Sequence, residues 1–261
     1  MKKQTRILLT VLCVVFLCVF AFSGYKLYSI IHEYRVDQQM YNGLSGEFVS
    51  QNDKDDSNSS QSASPEVEGP REVSPITVDF DALMSQSQYV VGWLYSADTV
   101  INYPVAQGED NFYFLERYID GRYNGCGSLF IDCACFSDFS GKNTVIYGHH
   151  MNDGSMFASI CNYGKQEYYD AHPVMYLNTP TQNYRVELFT GFITSADSSV
   201  YTFFFNSDEE YGAFLEKMKG FSDFDCDVEV GPEDRIITLS TCTYEYDNAR
   251  YVVMGKLVPI D

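Results

Sequence analysis

Basic side chains are scarce. The 261 residues hold only 17 Lys and Arg against 36 Asp and Glu, a net charge of −19. Binding a phosphate backbone needs clustered Lys and Arg, so nucleic acid is a poor partner for this chain. The C-x2-C spacing of a zinc knuckle is missing as well. Cys133-Ala134-Cys135 comes nearest, and it points to neither a metal nor any other cofactor. Internal repeats are absent. The eight cysteines fall at irregular spacings that name no disulfide framework.

Apolar and aromatic residues are plentiful. The chain is 45% apolar and 16% aromatic, with 21 Tyr and 19 Phe. That supplies one substantial core. Such residues suit pleated, half-buried surfaces, which favours a β-rich domain. The N-terminus is different. Lys2, Lys3 and Arg6 precede an uncharged run from Ile7 to Tyr25. A helical span needs about 20 apolar residues, and this run is just long enough. Residues 1–6 are expected to be a cytoplasmic tail and 7–25 a single-pass membrane anchor, with the rest outside. A cleaved signal peptide is the alternative, and small residues at Ala21 and Ser23-Gly24 would allow it. Cys13 and Cys18 fall inside this run.

Residues 26–75 read as a helix continuing to about Met40, followed by a flexible linker. From Ser50 to Ser64 only Lys54 and Ala63 are not Ser, Gln, Asn or Asp. Such a stretch cannot bury apolar surface. The folded domain is expected over 76–261. Asp79–Gln86 suits a short helix. Eight β-like runs follow: Val90–Tyr95, Val100–Val105, Ser128–Asp132, Asn143–Tyr147, Val174–Leu177, Tyr184–Thr194, Arg235–Cys242 and Arg250–Val258. That number of short strands suggests a closed barrel or a sandwich. Between the last runs, Ser207–Lys219 has a Ser or Asp cap, acids first and lysines last, the signature of an amphipathic helix.

Chemistry concentrates in two segments. Ser240 and Cys242 share one face of an alternating run, and Arg250 opens the next. A strand–loop–strand sets Cys242 beside Arg250. A nearby positive charge favours thiolate, and a guanidinium can donate to a developing oxyanion. The second segment is Tyr147-Gly148-His149-His150-Met151, with Asp153-Gly154 in a turn. Either histidine could exchange a proton with a thiol, but adjacent strand residues point oppositely, so only one can face it.

Together these segments are recognisable. Thr238-Leu239-Ser240-Thr241-Cys242 followed by Arg250 resembles the active-site strand pair of sortases. Tyr147-Gly148-His149-His150-Met151 with Asp153, Met156 and Phe157 looks like the histidine segment of their class B members, and the 207–219 helix lies where that class carries an insert. The resemblance implies a mainly β fold, an eight-stranded closed sortase barrel with N-terminal helices. It implies a membrane-anchored cysteine transpeptidase acting outside the cell. Cys242 is its expected nucleophile, His149 its proton donor and Arg250 its oxyanion stabiliser. Asn111, Leu115, Ser240 and Tyr201 are expected to bind substrate. Surface proteins with a C-terminal sorting motif, cut after Thr, are the implied donors, and an amine of a cell-wall precursor or pilin the acceptor. A cell-wall cysteine hydrolase would usually place Cys before His on an α/β scaffold. A tethered surface-binding module gives no reason for facing Cys and Arg.

Overall fold

The structure is a computed structural model and describes residues 2–52 and 72–261. Most of the Ser/Asn/Asp-rich stretch expected to be linker therefore lies outside the described residues. The chain divides into two compact units, residues 1–42 and 43–261. Helix α1 (Lys2–Phe48) is continuous, as the expected extension of the anchor implies, and runs about two turns beyond the expected end near Met40. At 1.5 Å per residue it is about 70 Å long, more than twice a hydrocarbon core. Its apolar side chains from Ile7 to Tyr28 are exposed. By length and composition it can cross a membrane.

The second unit starts with β1 (Val49–Gln51), paired antiparallel with β2 (Ile76–Val78). Residues on both sides of the undescribed stretch thus belong to one body. Helix α2 (Phe80–Gln86) is capped by Asp79, whose carboxylate accepts from the Ala82 amide at 3.0 Å.

Eight strands then close a barrel: β3 (Val90–Tyr95), β4 (Asn102–Ala106), β5 (Leu129–Ile131), β6 (Asn143–Tyr147), β7 (Val174–Asn178), β8 (Asn183–Ser195), β9 (Ile236–Cys242) and β10 (Ala249–Ile260). Their order around the barrel is β10-β8-β7-β3-β4-β5-β6-β9. Each of the eight expected runs supplies one strand, with ends moved by a few residues. The β4–β5 and β6–β9 pairs are parallel and the rest antiparallel. Closure removes the open edges that a sandwich of short strands would have to protect.

Between β7 and the preceding loop sits the short helix α3 (Gln166–Ala171). The insert helix α4 (Asp208–Lys219) is capped by Ser207, whose hydroxyl accepts from the Glu210 amide at 3.2 Å. Its Tyr211, Phe214, Leu215 and Met218 pack on Phe189 and Phe192 of β8 and on Val252 and Met254 of β10. Each fully buried side chain of this kind stabilises by about 1.5–3 kcal/mol. That packing fixes the segment between β8 and α4, which carries Tyr201.

Candidate active site

The β9–β10 register pairs Cys242 directly with Arg250. Residues directly opposite in an antiparallel pair point to the same side with Cβ atoms about 4.5–5.5 Å apart. The thiol and guanidinium are therefore neighbours at the barrel's end, both half-buried. The hairpin closes through Thr243 N donating to Ala249 O at 3.1 Å and Ala249 N donating to Tyr246 O at 3.1 Å. Asn248 takes the left-handed backbone the turn requires, at φ 61°. Arg250 Nη1 donates to Ala249 O at 3.0 Å. The loop acids do not pair with it: Glu245 instead accepts from the Thr243 hydroxyl, which holds its carboxyl below the usual range.

The histidine segment reaches the same end because β6 runs parallel to β9, with Tyr147 opposite Ser240. Gly148 N extends that ladder to Ser240 O at 3.1 Å. A Cβ on Gly148 would lie 2.5 Å from Leu129 Cδ2 and 2.7 Å from Phe157 Cδ2, so only glycine fits beneath the cleft. Beyond it the two imidazoles part. His149 Nε2 lies 2.7 Å from Leu115 O. A carbonyl only accepts, so Nε2 carries the hydrogen, and the lone pair of the neutral ring is on Nδ1. His150 Nδ1 lies 2.8 Å from Cys242 O and must donate there. The same atom is 3.6 Å from Cys161 Sγ. The His150 ring meets Tyr244 edge-on at 5.4 Å between centroids.

A cleft of about 220 Å³ gathers Asn111, Leu115, Phe130, Tyr147, Gly148, His149, Ser240, Thr241, Cys242 and Arg250. It contains His149 and not His150. Leu115 arrives on a 3-10 turn, Tyr113–Glu116. Tyr201, on another such turn, Ser199–Tyr201, hydrogen-bonds Ser240 Oγ at 2.9 Å. Burial raises its phenol pKa, opposed by the Ser240 bond and the Arg250 charge. All seven residues expected at the site are thus in or against one cleft. Sequence reasoning passed over Phe130, Thr241 and, as a lining residue, Tyr147. Tyr147 stood inside the histidine motif; alternation from Ser240, its strand partner, could have placed it.

The remaining body cysteines have quieter surroundings. All eight thiols are free. Burial pushes Cys135 and Cys161 up to about 11 from an ordinary 9.0, which keeps them protonated at neutral pH.

A closed barrel that sets a thiol, an imidazole and a guanidinium around one cleft is equipped for cysteine acyl transfer. Residues 98–258 match the Sortase domain family. The Sortase B of Listeria monocytogenes serovar 1/2a (strain ATCC BAA-679 / EGD-e) is 34% identical over 249 residues, 95% of each chain. Among solved structures, sortase B from B. anthracis in complex with AAEK1 is 31% identical with a TM-score of 0.72, covering 88% of this chain and 99% of that one. The Staphylococcus aureus sortase B–substrate complex is 32% identical with a TM-score of 0.67, covering 70% and 85%. The chain belongs to the sortase family of cysteine transpeptidases, among its class B members.

Proposed function

We propose that this transpeptidase cuts a C-terminal sorting signal after Thr and joins the new carboxyl end to an amine outside the cell. Cys242 passes its thiol proton to the bare Nδ1 of His149, and the thiolate attacks the carbonyl carbon and forms the C–S bond. Arg250 donates to the oxygen as it takes up negative charge. The C–N bond breaks, and the leaving amine takes a proton from His149 Nδ1, since Nε2 is committed to Leu115 O. An incoming amine then attacks the thioester, returns a proton to His149 and releases Cys242. Asn111, Leu115, Ser240 and Tyr201 line or brace the groove for the peptide. The observation that carries this reading is the shared cleft of His149, Cys242 and Arg250. The Staphylococcus aureus sortase B is known as a substrate complex, which supports a substrate-binding role for this family member.

The same reading holds residues 7–25 in the membrane as an uncleaved anchor. Lys2, Lys3 and Arg6 stay inside and residues 76–261 act as the exported catalytic domain, tethered through 26–75. Surface proteins bearing the motif are the donors, and a peptidoglycan precursor or pilin amine is the acceptor. The test is a peptide-library reaction with the detergent-solubilised full chain and triglycine as amine, its products read by mass. Cleavage after Thr with triglycine joined to the Thr carboxyl is expected. Products carrying only water at that carboxyl, at saturating amine, would contradict transpeptidation.

A further inference from the structure

Asp132 lies just past the end of β5 and is 5% exposed. It does not line the cleft but stands behind two residues that do. Its Oδ2 accepts from Asn111 Nδ2 at 2.8 Å and from the Tyr147 hydroxyl at 2.9 Å. Its Oδ1 accepts from Ala134 N at 2.9 Å. Among the described residues no Lys, Arg or His pairs with it. A buried carboxylate without a cation is expensive, and three neutral donors hold this one. Gln107 Nε2 braces the segment from the other side, donating to Asp132 O at 3.2 Å and Cys135 O at 2.8 Å.

An ionised carboxylate can only accept, so it dictates how its neighbours turn. Asn111 Oδ1 is already taken by Cys133 N at 2.8 Å, and one Nδ2 hydrogen goes to Asp132. The second Nδ2 hydrogen is the donor that Asn111 has left for a ligand. The Tyr147 hydrogen also goes to Asp132, so its hydroxyl oxygen keeps a lone pair.

We propose that Asp132 is a positioning residue that sets the hydrogen-bond polarity of the cleft wall, leaving Asn111 to donate to a carbonyl of the bound peptide and Tyr147 to accept from it. The inference rests on the peptide-transfer reading of this cleft. It is independent of the thiol chemistry, which Asp132 does not touch. Buried side chains of one strand end thereby decide what the wall recognises.

The test compares Asp132→Asn, Asn111→Asp and the swap carrying both, in the full-length chain. In the swap, the carboxylate at 111 accepts from Cys133 N and from the amide at 132, whose oxygen takes Ala134 N. The buried bonds return, with the Tyr147 oxygen now accepting from the second amide hydrogen at 132, and the wall offers an acceptor at 111 where it offered a donor. Asp132→Asn should raise KM for the cleaved peptide about tenfold, the scale of one hydrogen bond, with kcat within about twofold. The swap should regain melting temperature and keep the high KM. Recovery of KM in the swap, or an unchanged KM in Asp132→Asn, would overturn the proposal. The swap decides alone if either single variant fails to fold. A wild type that turned over no peptide would count against the peptide-transfer reading itself. The side-chain amide signal of Asn111, assigned by its loss in Asn111→Asp, then still decides. One of its two hydrogens should be downfield and protected in wild type and lose both features in Asp132→Asn. An unmoved signal would overturn the inference.

Discussion

Replacing His149 and His150 one at a time separates proton transfer from scaffolding. Each imidazole makes one hydrogen bond to a carbonyl, His149 to Leu115 O at 2.7 Å and His150 to Cys242 O at 2.8 Å. Losing either bond should cost about 1 kcal/mol. His150→Ala also loses its ring contact with Tyr244, centroids 5.4 Å apart, worth about 0.5–1 kcal/mol for an exposed partner. The stability losses are thus similar, about 1–2 kcal/mol. For a body of this size that is a fall of about 2–8 °C in melting temperature. Turnover should not be similar. His149 faces the cleft with Nδ1 uncommitted, so His149→Ala should lower kcat by about 10²–10⁴. His150→Ala loosens the end of β9 behind the nucleophile and should lower kcat by less than about tenfold. The assay is paired: kcat with the cleaved peptide and melting temperature, on both variants. A dead His150→Ala beside a normal His149→Ala would refute the tautomer argument and reverse the assignment.

Arg250→Lys keeps the charge but loses the planar fork, and turnover should fall about 10²–10³-fold, the scale of one oxyanion donor; near-normal turnover would show that bulk charge suffices. Gly148→Ala drives a methyl group to within 2.5 Å of Leu129 and 2.7 Å of Phe157, and should destabilise by about 1–3 kcal/mol by thermal melting while displacing His149; an unchanged melting temperature would mean the cleft floor yields freely. For the anchor, the protein should sediment with membranes and be digested by protease added outside intact cells; a soluble form in the medium starting near Ser23 would show a cleaved signal instead.

Much of this was legible in the order of residues. The eight strands were readable because each short apolar or alternating run is bounded by turn residues, and Asn143–Tyr147 and Val90–Tyr95 coincide with β6 and β3 at both ends. The pairing of Cys242 with Arg250 followed from alternation and a short polar loop. What escaped was set by tertiary contacts. The α1 helix runs on to Phe48 although its later turns are polar, so composition gave no stop. The β1–β2 pair joins segments separated by the undescribed stretch, and three-residue strands carry no periodicity. Tyr201 stood on the family resemblance alone, in a segment whose sequence diverges from it; packing of α4 and the Ser240 bond bring it to the cleft. Asp132 entered only as the last residue of the run Ser128–Asp132, since its three donors come from positions 111, 134 and 147.

Trapping the acyl-enzyme tests the central claim most directly. The full chain is mixed with a cleaved peptide, quenched in acid, digested and read by mass. The account predicts an adduct equal to the peptide up to its Thr, bound through a thioester to Cys242 alone, discharged by triglycine and absent from Cys242→Ala. An adduct on Cys126, Cys133, Cys135, Cys161 or Cys226, or undiminished cleavage by Cys242→Ala, would contradict it.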